Sequence, residues 1–141
     1  MSQLNQDQLI DFSVEIIQLF FDIELNVKLY HWHTTSYARH KATCGFLAAV
    51  APLFDQFVET LFGHFPYVKT ALSKIQRKQI TVEPTKENLN DVRLDTMTVK
   101  LNNFAESLKK LETHVNLTDL NNIRDSIIGQ IKQTLYLFSF N

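Results

Sequence analysis

The chain has few of the residues that punctuate or staple a fold. Its 141 residues include three glycines, three prolines and one cysteine. So few turn formers exclude a protein built from many short strands and leave long uninterrupted elements. One cysteine cannot close an internal disulfide, so a reducing, cytoplasmic compartment is expected. Charge of either sign is also not in excess: 14 basic side chains face 15 acidic ones, for a net charge of −1. No general attraction to nucleic acid or to an anionic membrane follows from that balance. The opening MSQLNQDQL lacks the basic region of a secretory leader, and the apolar run after it carries Asp11, Glu15, Asp22 and Glu24. Charges that recur so often do not suit a bilayer span, so a soluble protein is expected.

What the chain does have is helical periodicity and eleven phenylalanines. Leu9, Phe12, Ile16, Leu19, Phe20, Ile23, Val27 and Tyr30 recur at steps of three and four, predicting a helix over 5–33 that starts at Asn5 with Gln8 three residues on. Thr34, Thr35 and Ser36 break the pattern, and Ser36 or Thr35 can cap a second helix over 36–63. A third is predicted over 86–114, capped by Thr85, with Leu89, Val92, Met97, Leu101, Phe104, Leu108 and Leu111. A fourth follows over 118–139, with Leu120, Ile123, Ile127, Ile131, Leu135 and Phe138. Short links make two antiparallel hairpins within one domain, 1–141. The segment 64–85 between them is long enough to cross the bundle lengthwise, and YVKTALSKIQRK inside it can form a short helix. Two hairpins joined by one long crossover is the ferritin-like four-helix arrangement; an up-down-up-down bundle with a decorated loop is the rival.

The second helix carries an unusual stripe. His40, Cys44, Ala48, Ala51, Asp55 and Glu59 fall within an arc of about 100°. Within one chain His40 and Glu59 stand about 28 Å apart along the axis and cannot share an ion. Their numbers nevertheless pair symmetrically about position 49.5: 40 with 59, 44 with 55, 48 with 51. Two copies packed antiparallel about a two-fold axis would set His40 against the other copy's Glu59, and Cys44 against its Asp55. The small Ala48 and Ala51 would lie at the crossing. One imidazole and two carboxylates per site suit iron, or zinc or manganese, and His31 can supply a second nitrogen.

These residues bear a resemblance. His31-Trp32, His40, position 44, Asp55 and Glu59 resemble the Dps-type mini-ferritins, which carry a His-Trp pair, His-x-x-x-Asp and then Asp-x-x-x-Glu. The chain is also similar to a small ferritin-like family found mostly in large DNA viruses, with "HW…SYARHKAT" and a terminal "NIRD…QTLYL"; here that ending reads NIRDSIIGQIKQTLYLFSF, residues 122–140. The resemblance implies a ferroxidase-type site between subunits, with His31, His40, Cys44, Asp55 and Glu59 as metal ligands, iron as the ion, and a homodimer or larger homo-oligomer. It equally admits an inactive structural subunit, such as a minor virion or capsid-associated protein.

Two departures bear on that choice. Cys44 stands where the mini-ferritins have a carboxylate, and a thiol beside oxidising iron is itself vulnerable. Pro52 removes a helical hydrogen bond and predicts a kink beyond the proposed axis. The lysine-rich terminal arm of DNA-binding mini-ferritins has no counterpart, since the first basic residue is Lys28. Lys69, Lys74, Arg77, Lys78 and Lys86 make a modest basic segment without interleaved aromatics, so nucleic acid is not an expected partner. The plainer readings are also open. The stripe can be a solvated face, His31 can be a buried histidine bonded to Glu24, and Trp32 can be core. His33, His64 and His114 read as surface residues. A Cys44/His40 nucleophile pair lacks oxyanion donors, and the Glu-x-x-His motifs of a di-iron centre within one bundle are absent.

Overall fold

The computed structural model describes residues 4–76, 86–91, 94–113 and 115–140, with the backbone alone at 112 and 113. Four α-helices carry the chain: α1 (Gln6–His33), α2 (Tyr37–His64), α3 (Thr96–Lys109) and α4 (Thr118–Phe138). The 3-10 segments Pro66–Lys74 and Lys110–Thr113 lie between them, and no strand occurs among the described residues. The expected start signals operate. Asn5 accepts from the Gln8 amide while the Gln8 side chain accepts from the Asn5 amide, closing both ends of a capping box. Ser36 caps α2 by accepting from the Arg39 amide. Pro52 does not break α2, which continues through it to His64.

The apolar steps read from α1 become the core. Leu9, Phe12, Ile16, Phe20, Ile23, Val27 and Tyr30 are buried, with Leu19 half-buried against them. Phe46, Phe54, Phe57 and Leu61 of α2 meet them, and Phe20 stacks on Phe54 with ring centroids 4.3 Å apart. Burying a phenylalanine contributes about 1.5–3 kcal/mol, so this aromatic spine holds much of the interior together. Trp32 does not join it: it is 67% exposed, because residue 32 lies on the outer side of α1. The alternative of Trp32 as core packing is therefore corrected.

The packing has a definite order. α2 packs on α1 and on α4, α4 on α3, and α3 on α1. The Lys100 ammonium donates to Asn26, so the start of α3 lies beside the end of α1. Phe138 at the end of α4 lies 4.5 Å from the Arg39 guanidinium at the start of α2, while His64 at the end of α2 meets Asp119 at the start of α4. Neighbouring helices are thus antiparallel. α3 begins at the end of the molecule where α2 begins, opposite to where α2 stops.

The third helix starts ten residues later than expected. Residues 86–91 are not helical, Thr85 lies outside the described residues, and α3 begins only after Asp95. Tertiary bonds explain the shift. The Glu87 carboxylate accepts from Tyr30 Oη at 2.7 Å, from the Thr35 amide and hydroxyl at 3.1 and 3.0 Å, and from the Thr34 hydroxyl. Asn88 Oδ1 accepts from the amides of Asn90 and Asp91, forming a turn instead of a helix. Asp95 is wholly buried and accepts from Arg39 Nη1 at 2.5 Å. That Arg39 nitrogen also donates to Tyr30 Oη at 2.9 Å. Burial pushes the Tyr30 hydroxyl up to about 12, so the phenol stays protonated.

Removing one member of a buried ion pair strands the other and costs about 3–5 kcal/mol. Asp95→Ala is therefore expected to lower unfolding stability by that amount in urea titrations, whereas Arg39→Met combined with Asp95→Leu should recover most of the loss. The Glu87 carboxyl is a separate test. Burial pushes its pKa up, but the hydrogen bonds from Thr34, Tyr30 and Thr35 outweigh burial and hold it below the ordinary glutamate value. Its folded pKa is depressed, so the stability it adds is present above the unfolded value and is lost as pH falls through the folded one. In acid titrations Glu87→Gln should destabilise the protein at neutral pH by about 1.5–3 kcal/mol, and this gap to the parent should close below pH 4.5.

Candidate functional site

The pinned turn between α1 and α2 brings two imidazoles together. His31 sits in the last turn of α1 and His40 in the first turn of α2, and their rings stack with centroids 3.9 Å apart and planes 16° apart. Each ring is tied to the other residue's backbone. His31 Nδ1 lies 2.9 Å from the His40 carbonyl, and His40 Nδ1 lies 2.9 Å from the His31 carbonyl. A carbonyl only accepts, so in both rings Nδ1 carries the hydrogen and donates. In the neutral rings the in-plane lone pair therefore resides on Nε2. Thr43 Oγ1 stands 2.9 Å from His31 Nδ1 as a second acceptor. These contacts replace the alternative in which His31 bonds Glu24.

The rest of the stripe faces outward. His40, Cys44, Ala48, Ala51, Asp55 and Glu59 are all exposed, and the Cys44 thiol is free. Between Lys41 and Asp55 the exposed positions of α2 are Cys44, Gly45, Ala48, Ala51 and Pro52, without a charge among them. α2 is also the one helix among the described residues long and apolar enough, by length and composition, to cross a membrane. Its apolar window has a mean hydropathy of 1.3, yet only 28% of it is buried. A core helix of that composition would be mostly covered; this one is covered by α1, α4 and the 3-10 segment Pro66–Lys74, and its remaining side is open.

The acids stand at the other end of α2. An unbroken helix keeps Asp55 and Glu59 far from His40, and among the described residues no three His, Cys, Asp or Glu side chains of one chain come close enough to hold an ion. Glu24, on the α1 edge facing this stripe, has its carboxyl pushed up first by burial and then by the negative charge of Asp55. His33 is exposed, His64 bonds Asp119 Oδ2 at 2.7 Å, and His114 lies outside the described residues. The reading of His64 as a simple surface residue misses that pairing, which holds the Asp119 carboxyl below its usual range.

Sequence reasoning also missed Thr43, Glu87 and Arg39. Arg39 alone left a sequence signal, as a lone cation three, four and seven residues before Ala42, Thr43 and Phe46 on the apolar face of α2. In metal-free protein, long-range nitrogen–proton NMR should show the Nδ1–H tautomer for both His31 and His40. An Nε2–H tautomer in either ring would contradict the reciprocal tether.

Comparison with curated proteins and with solved structures found no match. A family model does match, over residues 31–138, and it is described as a family of unknown function, DUF5856. The matched region opens at His31 and closes at Phe138, so it includes the histidine pair, the whole α2 stripe and the Arg39–Asp95 pair: the chain belongs to the DUF5856 family.

Proposed function

We propose that the protein is a ferritin-like metal binder whose site is completed by a second copy of the chain. The architecture supports this reading. The packing order α1–α2–α4–α3 and the shared starting end of α2 and α3 fit two hairpins joined by a crossover. The up-down-up-down rival would seat α2 beside α3 and α1 beside α4, and neither pair is among the packed pairs of described elements.

One observation carries the metal reading: His31 and His40 are tethered through Nδ1 to backbone carbonyls, the outer contact that metal-bound histidines usually show. The donor set fits. His31 and His40 of one chain, with Asp55 and Glu59 of the other, would supply nitrogens and carboxylate oxygens of the kind that hold iron, and less readily zinc or manganese. Nearly parallel rings cannot aim both lone pairs at one point, so each imidazole would serve its own ion. Bound iron would supply oxidation of Fe(II) by oxygen or peroxide. The residues of this chain hold the rings in one tautomer and bring the acids across the two-fold.

The dimer follows from the same face. Antiparallel pairing about position 49.5 adds Tyr37, which is exposed, opposite the partner's half-buried Phe62, to the pairs already named. A second reading, an inactive structural subunit of a virion or another assembly, is favoured by Cys44 in place of a carboxylate. Pro52 also favours it, since it cannot donate to the Ala48 carbonyl at the crossing.

Three measurements decide. Native mass spectrometry should give twice the 16.4 kDa of the chain, and Ala48→Arg should return it to monomer. His40→Ala and Glu59→Ala should each weaken Zn(II) or Fe(II) binding at least about tenfold. Mixing those two variants should restore one intact site in each mixed dimer, because the surviving His40 and Glu59 face each other. Restoration absent from mixed dimers would refute the shared site. A parent protein that binds no metal would leave the structural reading.

A further inference from the structure

We propose that Thr43 is a positioning residue that fixes His31 as an Nε2 donor; the inference deepens the metal-binding reading and rests on it for the identity of the ligand. Thr43 is fully buried on the inner side of α2, beneath the histidine pair. Its hydroxyl donates to the Arg39 carbonyl at 2.8 Å, with the His40 carbonyl at 3.1 Å as the other acceptor in reach. A hydroxyl has a single hydrogen. With that hydrogen committed to the backbone, Oγ1 can only accept from His31 Nδ1 at 2.9 Å. A threonine bonding back to the carbonyl four residues earlier is common in helices and by itself means nothing. Here that bond has a directional consequence, because it converts an ambivalent hydroxyl into an acceptor aimed at one ring nitrogen.

The two histidines are therefore not held equally. His40 Nδ1 has one acceptor, the His31 carbonyl. His31 Nδ1 has two, the His40 carbonyl and Thr43 Oγ1. The His31 ring sits in the last turn of α1. The second acceptor adds a constraint from the neighbouring helix α2. Thr43 is in turn placed by Arg39, whose carbonyl takes its hydrogen and whose guanidinium is buried against Asp95. The chain of contacts from Asp95 through Arg39 and Thr43 to His31 links the buried ion pair to the outward-facing ring.

The test compares Thr43→Val, which keeps the shape and removes the hydroxyl, with Thr43→Ser, which keeps the hydroxyl. The first readout is the tautomer of His31 in metal-free protein by long-range nitrogen–proton NMR, with His40 in the same molecule as the control. Thr43→Val should raise the Nε2–H fraction at His31, leave His40 on Nδ1–H, and weaken Zn(II) binding about tenfold; Thr43→Ser should restore both. An unchanged His31 tautomer in Thr43→Val overturns the inference, as does an equal change at His40, which would signal general loosening of the turn. If the parent protein binds no Zn(II), the metal-binding reading fails, and the tautomer comparison still decides whether Thr43 sets the ring.

Discussion

A guanidinium with no exposed surface ties the four helices together at one end of this fold. Arg39 stands in the first turns of α2, bonds Tyr30 of α1 and Asp95 before α3, and lies against the ring of Phe138 at the end of α4. One side chain thereby touches all four helices or their immediate boundaries at the same end of the molecule. Such a pair adds little net stability over an apolar replacement, because desolvating both charges offsets their attraction. Its effect is on specificity. A helix three that slid by one turn along α1 would take Asp95 away from Arg39. The Glu87 contacts with Thr34 and Thr35 act on the same turn from outside. With both in place the three-residue link has little freedom, and His31 is set opposite His40 as a result.

That dependence explains what could be read from the sequence. The limits of α1, α2 and α4 were legible to within a residue or so, since Asn5, Gln8 and Ser36 are local signals and the apolar steps lie within single helices. The start of α3 was not. Leu89 and Val92 continue a helical spacing, but Glu87, Asn88 and Asp95 find better partners in the turn and on α2, and no local rule weighs those bonds. The stripe from His40 to Glu59 was legible as a stripe because periodicity alone defines it. The stacking of His31 on His40 was not, because it requires knowing how tightly the turn closes. Trp32 was misplaced for a related reason: next to a histidine pair, at a helix end, an aromatic ring can find itself with no second layer to pack against.

Net charge also conceals structure. A balance of −1 averages Lys28 and Lys41, beside the histidine pair, against Asp7, Asp11 and Glu15 on the exposed side of the far half of α1 and Asp119 near the foot of α2. Asp55 and Glu59 add to the exposed acids of that half. In the proposed dimer, the antiparallel orientation that the spacing on α2 requires would set Asp55 and Glu59 against the partner's histidine end. Lys41 would then fall close to the partner's Glu59 at the rim, where a partly solvated pair would favour the antiparallel approach over the parallel one more than it would add affinity.

The uncovered face of α2 is the remaining constraint, and it bears on what can lie against it. An exposed helix of this hydropathy could be sheathed by lipid, by an unrelated protein or by itself. Lipid would have to bury Asp55, one turn before Glu59 on the same line, and leave His40 facing hydrocarbon at the other end. An unrelated partner would need a strip matching small residues in the middle and opposite polarity at the two ends. In the proposed dimer a second copy would supply that strip without further design: the central alanines would meet near the axis, and Asp55 and Glu59 of each chain would face the histidine end of the other. Small residues at the centre would let the backbones approach and would shorten the reach from Glu59 to the other chain's histidines. In that arrangement the absence of large side chains at positions 44, 48 and 51 is a geometric requirement of the shared site, and the apolarity of α2 is the consequence.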